Sequence, residues 1–226
     1  MTARPIIFTA ASMRGILSGA KTQTRRLIKL DRDIASQGGD LAKAWPDLLW
    51  GVTPGLQVPC ADGTVQRLRN PYGWPANEPV KLWVKESFAP AWNHPDALTM
   101  PEHDGGQNPA HLYYRADVRA DRTGARLIDG CDEDRIKWRS PLYMPRWASR
   151  ITLEVTEVRV QRVDDLSLDD VFAELGETKE HAARHHAESW EPYDAWATLW
   201  DSINGKRAPY ASRPWVWAIT FRRVER

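Results

Sequence analysis

The spacing of hydrophobic positions changes along the chain, and these changes predict both helices and strands. Apolar residues three and four positions apart, typical of amphipathic helices, occur in the segments 10–18, 167–175 and 192–204. Alternation of apolar and polar residues, typical of strands, occurs in the segments 80–86, 151–163 and 215–221. Helices and strands do not alternate as βαβ units, so we expect an α+β fold around a small curved sheet or barrel.

Two of these segments carry sharper local signals. Ser167 is a typical N-cap residue, and the two aspartates that follow it favour the start of a helix. In the segment 151–163 the apolar positions change phase between Val155 and Val158. A slip of this kind inside a long strand indicates a β-bulge, which barrels use to bend.

Two long stretches show little periodicity. Residues 31–79 and 90–137 are rich in glycine, proline and polar residues, and the second contains one short candidate strand at 112–115. We interpret both stretches as loop insertions. The length suits one domain, so we predict a single domain over 1–226 that carries the two insertions.

The composition excludes several classes of protein. The chain has 226 residues and 42% of them are hydrophobic, which is too many for a disordered or collagen-like chain. No segment approaches the roughly 18 apolar residues that cross a bilayer, and the N-terminus lacks the apolar core of a secretory signal. The two cysteines, Cys60 and Cys131, cannot form a disulfide framework. We therefore expect a cytoplasmic protein without membrane association.

One group of histidines is spaced like metal ligands. His181, His185 and His186 lie near Glu177 and Glu180. No fourth ligand is evident, and the pattern is not H-E-x-x-H. We interpret this segment as an exposed polar helix and predict neither a metal nor a cofactor.

The net charge of +1 hides an uneven distribution. Residues 1–30 contain six basic and no acidic residues, and residues 135–150 contain five basic and no acidic residues. Residues 151–201 contain thirteen acidic and four basic residues. This pattern indicates a basic face for a phosphate-bearing ligand, although ordinary solvated surface would give the same pattern.

Tryptophan is unusually frequent, with 12 residues. Trp138 and Trp147 alternate with Arg139 and Arg146 in one of the basic segments. A base stacked on an aromatic ring contributes roughly 1–3 kcal/mol, so this mixture suits single-stranded nucleic acid or a nucleoside. We predict that these four residues contact the substrate.

A lysine, two threonines and two arginines follow the glycine that ends the first predicted helix. Lys21 and Thr24 form a candidate amine–hydroxyl pair, in which a neutral lysine would take the proton of a threonine nucleophile. The pKa of lysine must then fall by about 3 units from about 10.4, and burial and the charges of Arg25 and Arg26 both lower it. The two side chains converge only if the chain still turns at 21–24, and a basic turn for phosphate is the alternative interpretation.

The segment 19–26 resembles the G-x-K-T-x-T-x-R signature of the ASCH domain, a PUA-like β-barrel. The segments 144–163 and 200–224 are similar to those of the larger ASCH-domain proteins of phages and prophages. The resemblance implies a PUA-like small β-barrel with flanking helices, to which the two insertions are added.

Small bacterial ASCH proteins include an amidohydrolase that removes acyl groups from N4-acetylcytidine. Its proton acceptor, nucleophile and proton donor correspond to Lys21, Thr24 and Glu174. Arg26 matches the family arginine and would steady an oxyanion or a phosphate. The implied partner is a nucleoside, a nucleotide or single-stranded RNA.

Other interpretations stay open at this point. Glu86 is the alternative acid, and a carboxylate paired with a basic residue is the simpler explanation for it. Together with Arg25, Arg26 and the aromatic–arginine group above, it completes the predicted substrate-binding set. A non-catalytic reader of RNA or of a modified base is the main alternative function, and a ribonuclease is the third.

Overall fold

The computed structural model describes residues 3–47, 55–69, 80–90, 112–120, 126–128, 131–132, 134, 136–180, 182 and 190–224. The chain forms two compact units. The first unit comprises residues 19–80 and 154–222, and the second comprises most of the remainder, chiefly 2–18 and 81–153.

The strands in chain order are β1 (Arg4–Ile7), β2 (Gln23–Leu27), β3 (Trp45–Asp47), β4 (Gly55–Pro59), β5 (Val65–Arg69), β6 (Val80–Lys85), β7 (Phe88–Pro90), β8 (Leu112–Tyr114), β9 (Arg119–Ala120), β10 (Arg126–Ile128), β11 (Cys131–Asp132), β12 (Thr152–Arg162) and β13 (Trp215–Val224). The helices are α1 (Ala10–Ser18), α2 (Arg32–Ser36), α3 (Leu168–Leu175) and α4 (Pro192–Asn204). The predicted α+β class is confirmed, and the three predicted amphipathic helices and the three alternating strands form. None of the helices in the described ranges is both long and apolar enough to span a membrane.

The largest sheet has the strand order β1-β6-β12-β13-β2. β1 pairs in parallel with β6, and β2 pairs antiparallel to β13. A closed barrel would require β1 and β2 to pair with each other, and in the described part of the chain they are instead the two edges of the sheet. The expectation of a closed barrel is therefore wrong for these residues.

The long strand β12 shows the predicted change of phase. Leu153 and Val155 are buried, two exposed residues follow, and the next buried position is Val158. The buried positions are therefore odd-numbered up to Val155 and even-numbered at Val158, within one continuous strand.

The stretch 31–79 is not a plain loop insertion. It contains α2 and the antiparallel sheet β3-β4-β5, in which Leu56 and Val58 are fully buried. The stretch 90–137 contains β8 to β11, and β8 lies at the predicted candidate strand. These strands have five residues or fewer, so each buries too few apolar positions to show a clear period in the sequence.

Helices α3 and α4 pack on the ends of β12 and β13 in the first unit. The buried cluster consists of Val163, Val171, Trp196, Trp200 and Val216. The indole nitrogen of Trp200 donates to the carbonyl of Ala208 at 2.8 Å, and that of Trp196 donates to the carbonyl of Val163 at 3.4 Å. Trp196 and Trp200 of α4 therefore serve core packing.

Helix α3 has strong signals at both ends. The Ser167 side chain accepts from the backbone of Asp170, whose own side chain accepts from the backbone of Ser167, and this forms a capping box. Gly176 ends the helix at φ 75°, a conformation that glycine adopts without strain. Asp170 and Glu174 are four residues apart, so both lie on one face of α3.

Candidate functional site

Lys21 lies in a turn that precedes β2. Gly19 has φ +81°, so the chain reverses there, and the strand begins only at Gln23. The Lys21 side chain is 4% exposed, and its Nζ donates to Glu174 Oε2 at 3.3 Å and also to the Glu174 backbone carbonyl. The turn thus aims the lysine at the last turn of α3.

Glu174 binds a second cation. Arg25 Nη1 donates to Glu174 Oε1 at 3.1 Å, and the side chains of Arg25 and Glu174 are 0% and 2% exposed. One buried carboxylate therefore lies between the ammonium of Lys21 and the guanidinium of Arg25. We call these three residues the Lys–Glu–Arg triad.

A second group of polar residues holds Arg25 in place. Its Nη1 donates to Gln23 Oε1, and its Nη2 lies 3.7 Å from Asp170 Oδ2. Gln23 Nε2 donates to Asp170 Oδ1 at 2.8 Å, and Arg159 Nη2 donates to the same oxygen at 3.0 Å. The guanidinium of Arg25 is thus fixed by contacts from both β2 and α3.

These contacts shift two pKa values. Burial lowers the pKa of Lys21 below its usual range, Glu174 opposes this, and the charges of Arg26 and Arg25 add to the lowering. Burial alone would raise the pKa of Asp170, but its hydrogen bonds from Gln23 and Arg159 outweigh burial and lower it. Lys21 is therefore neutral at a lower pH than an exposed lysine, and Asp170 remains ionised to a lower pH than an exposed aspartate.

Thr24 is buried on β2 beside the triad. Side chains alternate along a strand, so Thr24 and Arg26 lie on the opposite face of β2 from Gln23 and Arg25. Among the described residues, the Thr24 hydroxyl makes no hydrogen bond of 3.5 Å or shorter. The structure thus brings Lys21 and Glu174 together, adds Arg25, and leaves Thr24 without a hydrogen bond to Lys21.

Glu86 belongs to a different cluster, in the second unit. Arg150 donates through Nε and Nη2 to the two Glu86 oxygens at 2.9 and 3.1 Å, and through Nη1 and Nη2 to Asp117 at 2.7 and 3.0 Å. The Tyr114 ring lies 4.0 Å from the guanidinium carbon. Burial raises the pKa of Glu86, and Arg150 opposes this. Glu86 is the paired carboxylate of the simpler interpretation, and both of its oxygens bind Arg150.

The aromatic–arginine segment also lies in the second unit. Trp138 packs against the buried cluster that includes Tyr113 and Ile136, so it is partly core. Arg139 pairs through its backbone with Phe88, and its side chain is exposed. Of these two residues, Trp138 serves packing, whereas the side chain of Arg139 remains on the surface.

A more exposed surface follows that segment. Tyr143 and Leu142 are 78% and 67% exposed, and Trp147 is 40% exposed. The cations of Lys85 and Arg146 lie 5.4 and 5.7 Å from the Trp83 ring. Tyr143 and Lys85 are additional exposed-surface residues that the sequence did not indicate, because neither belongs to the Trp–Arg pairs from which the substrate contacts were predicted.

The three histidines at 181, 185 and 186 lie outside the described residues. Within the part of the chain that is described, no three histidine, cysteine, aspartate or glutamate side chains are grouped to hold a metal ion. An open pocket beside α4 is lined by Trp190, Asp194 and Leu199, among others, and none of its lining residues belongs to the triad.

We expect Glu174→Gln to lower the free energy of unfolding by about 3–5 kcal/mol, because it removes the one buried carboxylate that contacts both Lys21 and Arg25. Glu154→Gln is the matched control. Its partner Arg222 is 69% exposed, so this pair contributes at most about 1 kcal/mol. Denaturant unfolding at neutral pH measures both variants, and equal losses would contradict a buried charge triad.

We expect Glu86 to make stability fall as the pH rises. Its pKa is raised above 4.5, so between 4.5 and the folded-state pKa the folded protein binds more protons than the unfolded chain. The contribution of Glu86 to the free energy of unfolding is complete below pH 4.5, and it is lost as the pH rises through the folded-state pKa. Unfolding measured from pH 4 to 8 should show this loss in the wild type relative to Glu86→Gln. A parallel pH dependence of the two proteins would refute it.

Comparisons with protein-family models, with curated proteins and with solved structures find no match to this chain. The chemistry of the site must therefore be inferred from its own contacts. The residues that carry it are the buried Lys–Glu–Arg triad of the first unit.

Proposed function

We propose that the protein is an amidohydrolase that removes the acyl group from an N4-acylated cytosine nucleoside or nucleotide. The observation that carries the proposal is the buried contact of 3.3 Å between Lys21 Nζ and the Glu174 carboxylate, across 153 residues of sequence. These are two of the three residues that the resemblance to ASCH proteins assigns to this reaction. Thr24 is the third.

The state of Lys21 suits a proton acceptor. An ammonium cannot accept a proton, so a lysine base must be neutral near the working pH. Burial lowers the pKa of Lys21 in that direction. The contact with Glu174 gives an accepted proton a path to a second group.

The proposed reaction has two steps. The Thr24 oxygen bonds to the acyl carbon while its proton passes to Lys21 Nζ; the bond from that carbon to N4 then breaks, and N4 receives a proton through Glu174. Water next attacks the threonine ester, which releases a carboxylic acid and restores the hydroxyl. Thr24 lies inside β2 on the opposite face from Arg25, so this step requires residues 22–24 to reorient when substrate binds and bring the hydroxyl to Lys21.

The test is the release of cytidine from N4-acetylcytidine, which chromatography measures. We expect Lys21→Met and Thr24→Ala each to lower the rate by about 100-fold or more, because each removes a group that acts in the transition state. Lys29→Met is the matched control, since Lys29 is an exposed lysine just beyond β2. No turnover by the wild type, or a rate equal to that of the wild type in either the Lys21 or the Thr24 variant, would reject the proposal.

Binding of single-stranded RNA is a second candidate function, and one surface of the second unit favours it. We define the aromatic–basic patch as Lys85, Leu142, Tyr143, Arg146 and Trp147. Among the described residues, Lys85 and Arg146 form no ion pair with a carboxylate, so both positive charges remain available to phosphates. Exposed rings beside unpaired cations suit stacked bases and a phosphate backbone.

We expect Tyr143→Ala to weaken binding of a uridine 12-mer by about 5- to 150-fold, the loss of one stacked base. Tyr193→Ala, at a 43% exposed tyrosine of α4, should leave affinity unchanged. Fluorescence anisotropy at several salt concentrations measures both variants. Arg146→Gln should flatten the salt dependence by about 0.7 of a logarithmic unit per decade. An affinity that changes neither with the salt concentration nor on substitution of Tyr143 would exclude this function.

A further inference from the structure

A buried Lys–Glu pair without a further cation would resist loss of the lysine proton, and the Lys–Glu–Arg triad differs from such a pair. In such a pair the carboxylate holds the proton on the lysine. Removing that proton would leave a carboxylate buried without a counter-charge, which is strongly unfavourable. Lys21 and Glu174 are 4% and 2% exposed, so solvent offers little compensation.

Arg25 changes this balance because it is a second, permanent cation on the same carboxylate. A guanidinium does not lose its proton in proteins. Its Nη1 lies 3.1 Å from Glu174 Oε1, while Lys21 contacts the other oxygen, Oε2. When Lys21 is charged, the triad carries one excess positive charge. When Lys21 is neutral, Arg25 and Glu174 form a compensated pair.

We propose that Arg25 is a positioning residue whose guanidinium compensates Glu174 when Lys21 is neutral, and that it thereby allows Lys21 to accept a proton. This inference rests on the proposed function, in which Lys21 is the proton acceptor. Arg25 was expected to contact substrate, but its side chain is 0% exposed, so it acts through Glu174.

The other charges near the triad fit this role. Those that act on Lys21 are Glu174 from α3, and Arg26 and Arg25 from β2. Asp170 pairs with Arg159 at 3.0 Å and lies farther from Arg25, at 3.7 Å. Arg25 is therefore the cation that contacts the carboxylate of Glu174 directly when Lys21 gives up its charge.

The first experiment measures the charge of Lys21 without relying on activity. The full chain is labelled with 13Cε-lysine, and its NMR signals are titrated with pH; Lys21→Met identifies the Lys21 signal. In the wild type this signal should titrate below the usual value of about 10.4. Arg25→Gln should move the midpoint upward by at least about one pH unit, because Glu174 then pairs with Lys21 alone.

Three further variants sharpen this result. Arg25→Lys should keep the midpoint close to that of the wild type, because it restores a cation. Arg159→Gln is the matched control, since it removes an arginine that contacts Asp170 and not Glu174. If Arg25→Gln does not fold, Gln23→Leu removes a contact that fixes Arg25 and should give a smaller shift in the same direction. An unchanged or lowered midpoint in the folded variant would overturn the proposal.

The second experiment separates this inference from the proposed function. In the cytidine-release assay, Arg25→Gln should move the acidic limb of the kcat/KM profile to higher pH by the shift that NMR measures. A merely structural role would lower activity at every pH and would count against the proposal. If the wild type releases no cytidine while the NMR shift appears, the amidohydrolase fails and the charge role of Arg25 stands.

Discussion

A carboxylate buried between two cations is the interaction on which the first unit depends. Glu174 is removed from water, so its charge must be matched inside the protein, and Lys21 and Arg25 match it from opposite oxygens. The surrounding elements serve this arrangement. Gly19 turns the lysine toward α3, and a capping box of Ser167 and Asp170 fixes the start of that helix. Asp170 also lies 3.7 Å from Arg25.

The second unit contains a cluster with the charges reversed and with less burial, since Arg150 and Asp117 are 23% and 40% exposed. There one cation, Arg150, lies between two carboxylates, Glu86 and Asp117, and the ring of Tyr114 covers its face. The two clusters shift protons in opposite directions. Burial is the largest cause of both pKa shifts. Neighbouring like charges add to it, since Arg26 and Arg25 lower the pKa of Lys21 further and Asp117 raises that of Glu86 further.

Much of the local structure could be predicted, because its signals lie within a few residues. Ser167 and the aspartates that follow it mark the start of α3, and the phase change after Val155 is visible in the sequence and in the burial of β12. The role of Arg25 could not be read this way. It depends on the face of β2 that meets α3, and the sequence offered two adjacent arginines without saying which one is buried. Whether the large sheet closes depends on pairings between distant residues, which local periodicity does not encode. The strands of 45–69 pair locally, but each is too short to show a clear period.

The contacts of Glu174 join parts of the chain that are 149 and 153 residues apart, which bears on how the protein is made. During synthesis Lys21 and Arg25 emerge long before α3, so both cations stay hydrated until the acidic helix leaves the ribosome. The first unit therefore gains its charge-matched interior only after residue 174 has been synthesised. A chain arrested before residue 174 would carry a lysine and an arginine that have to remain in water, and the surface they occupy could not close.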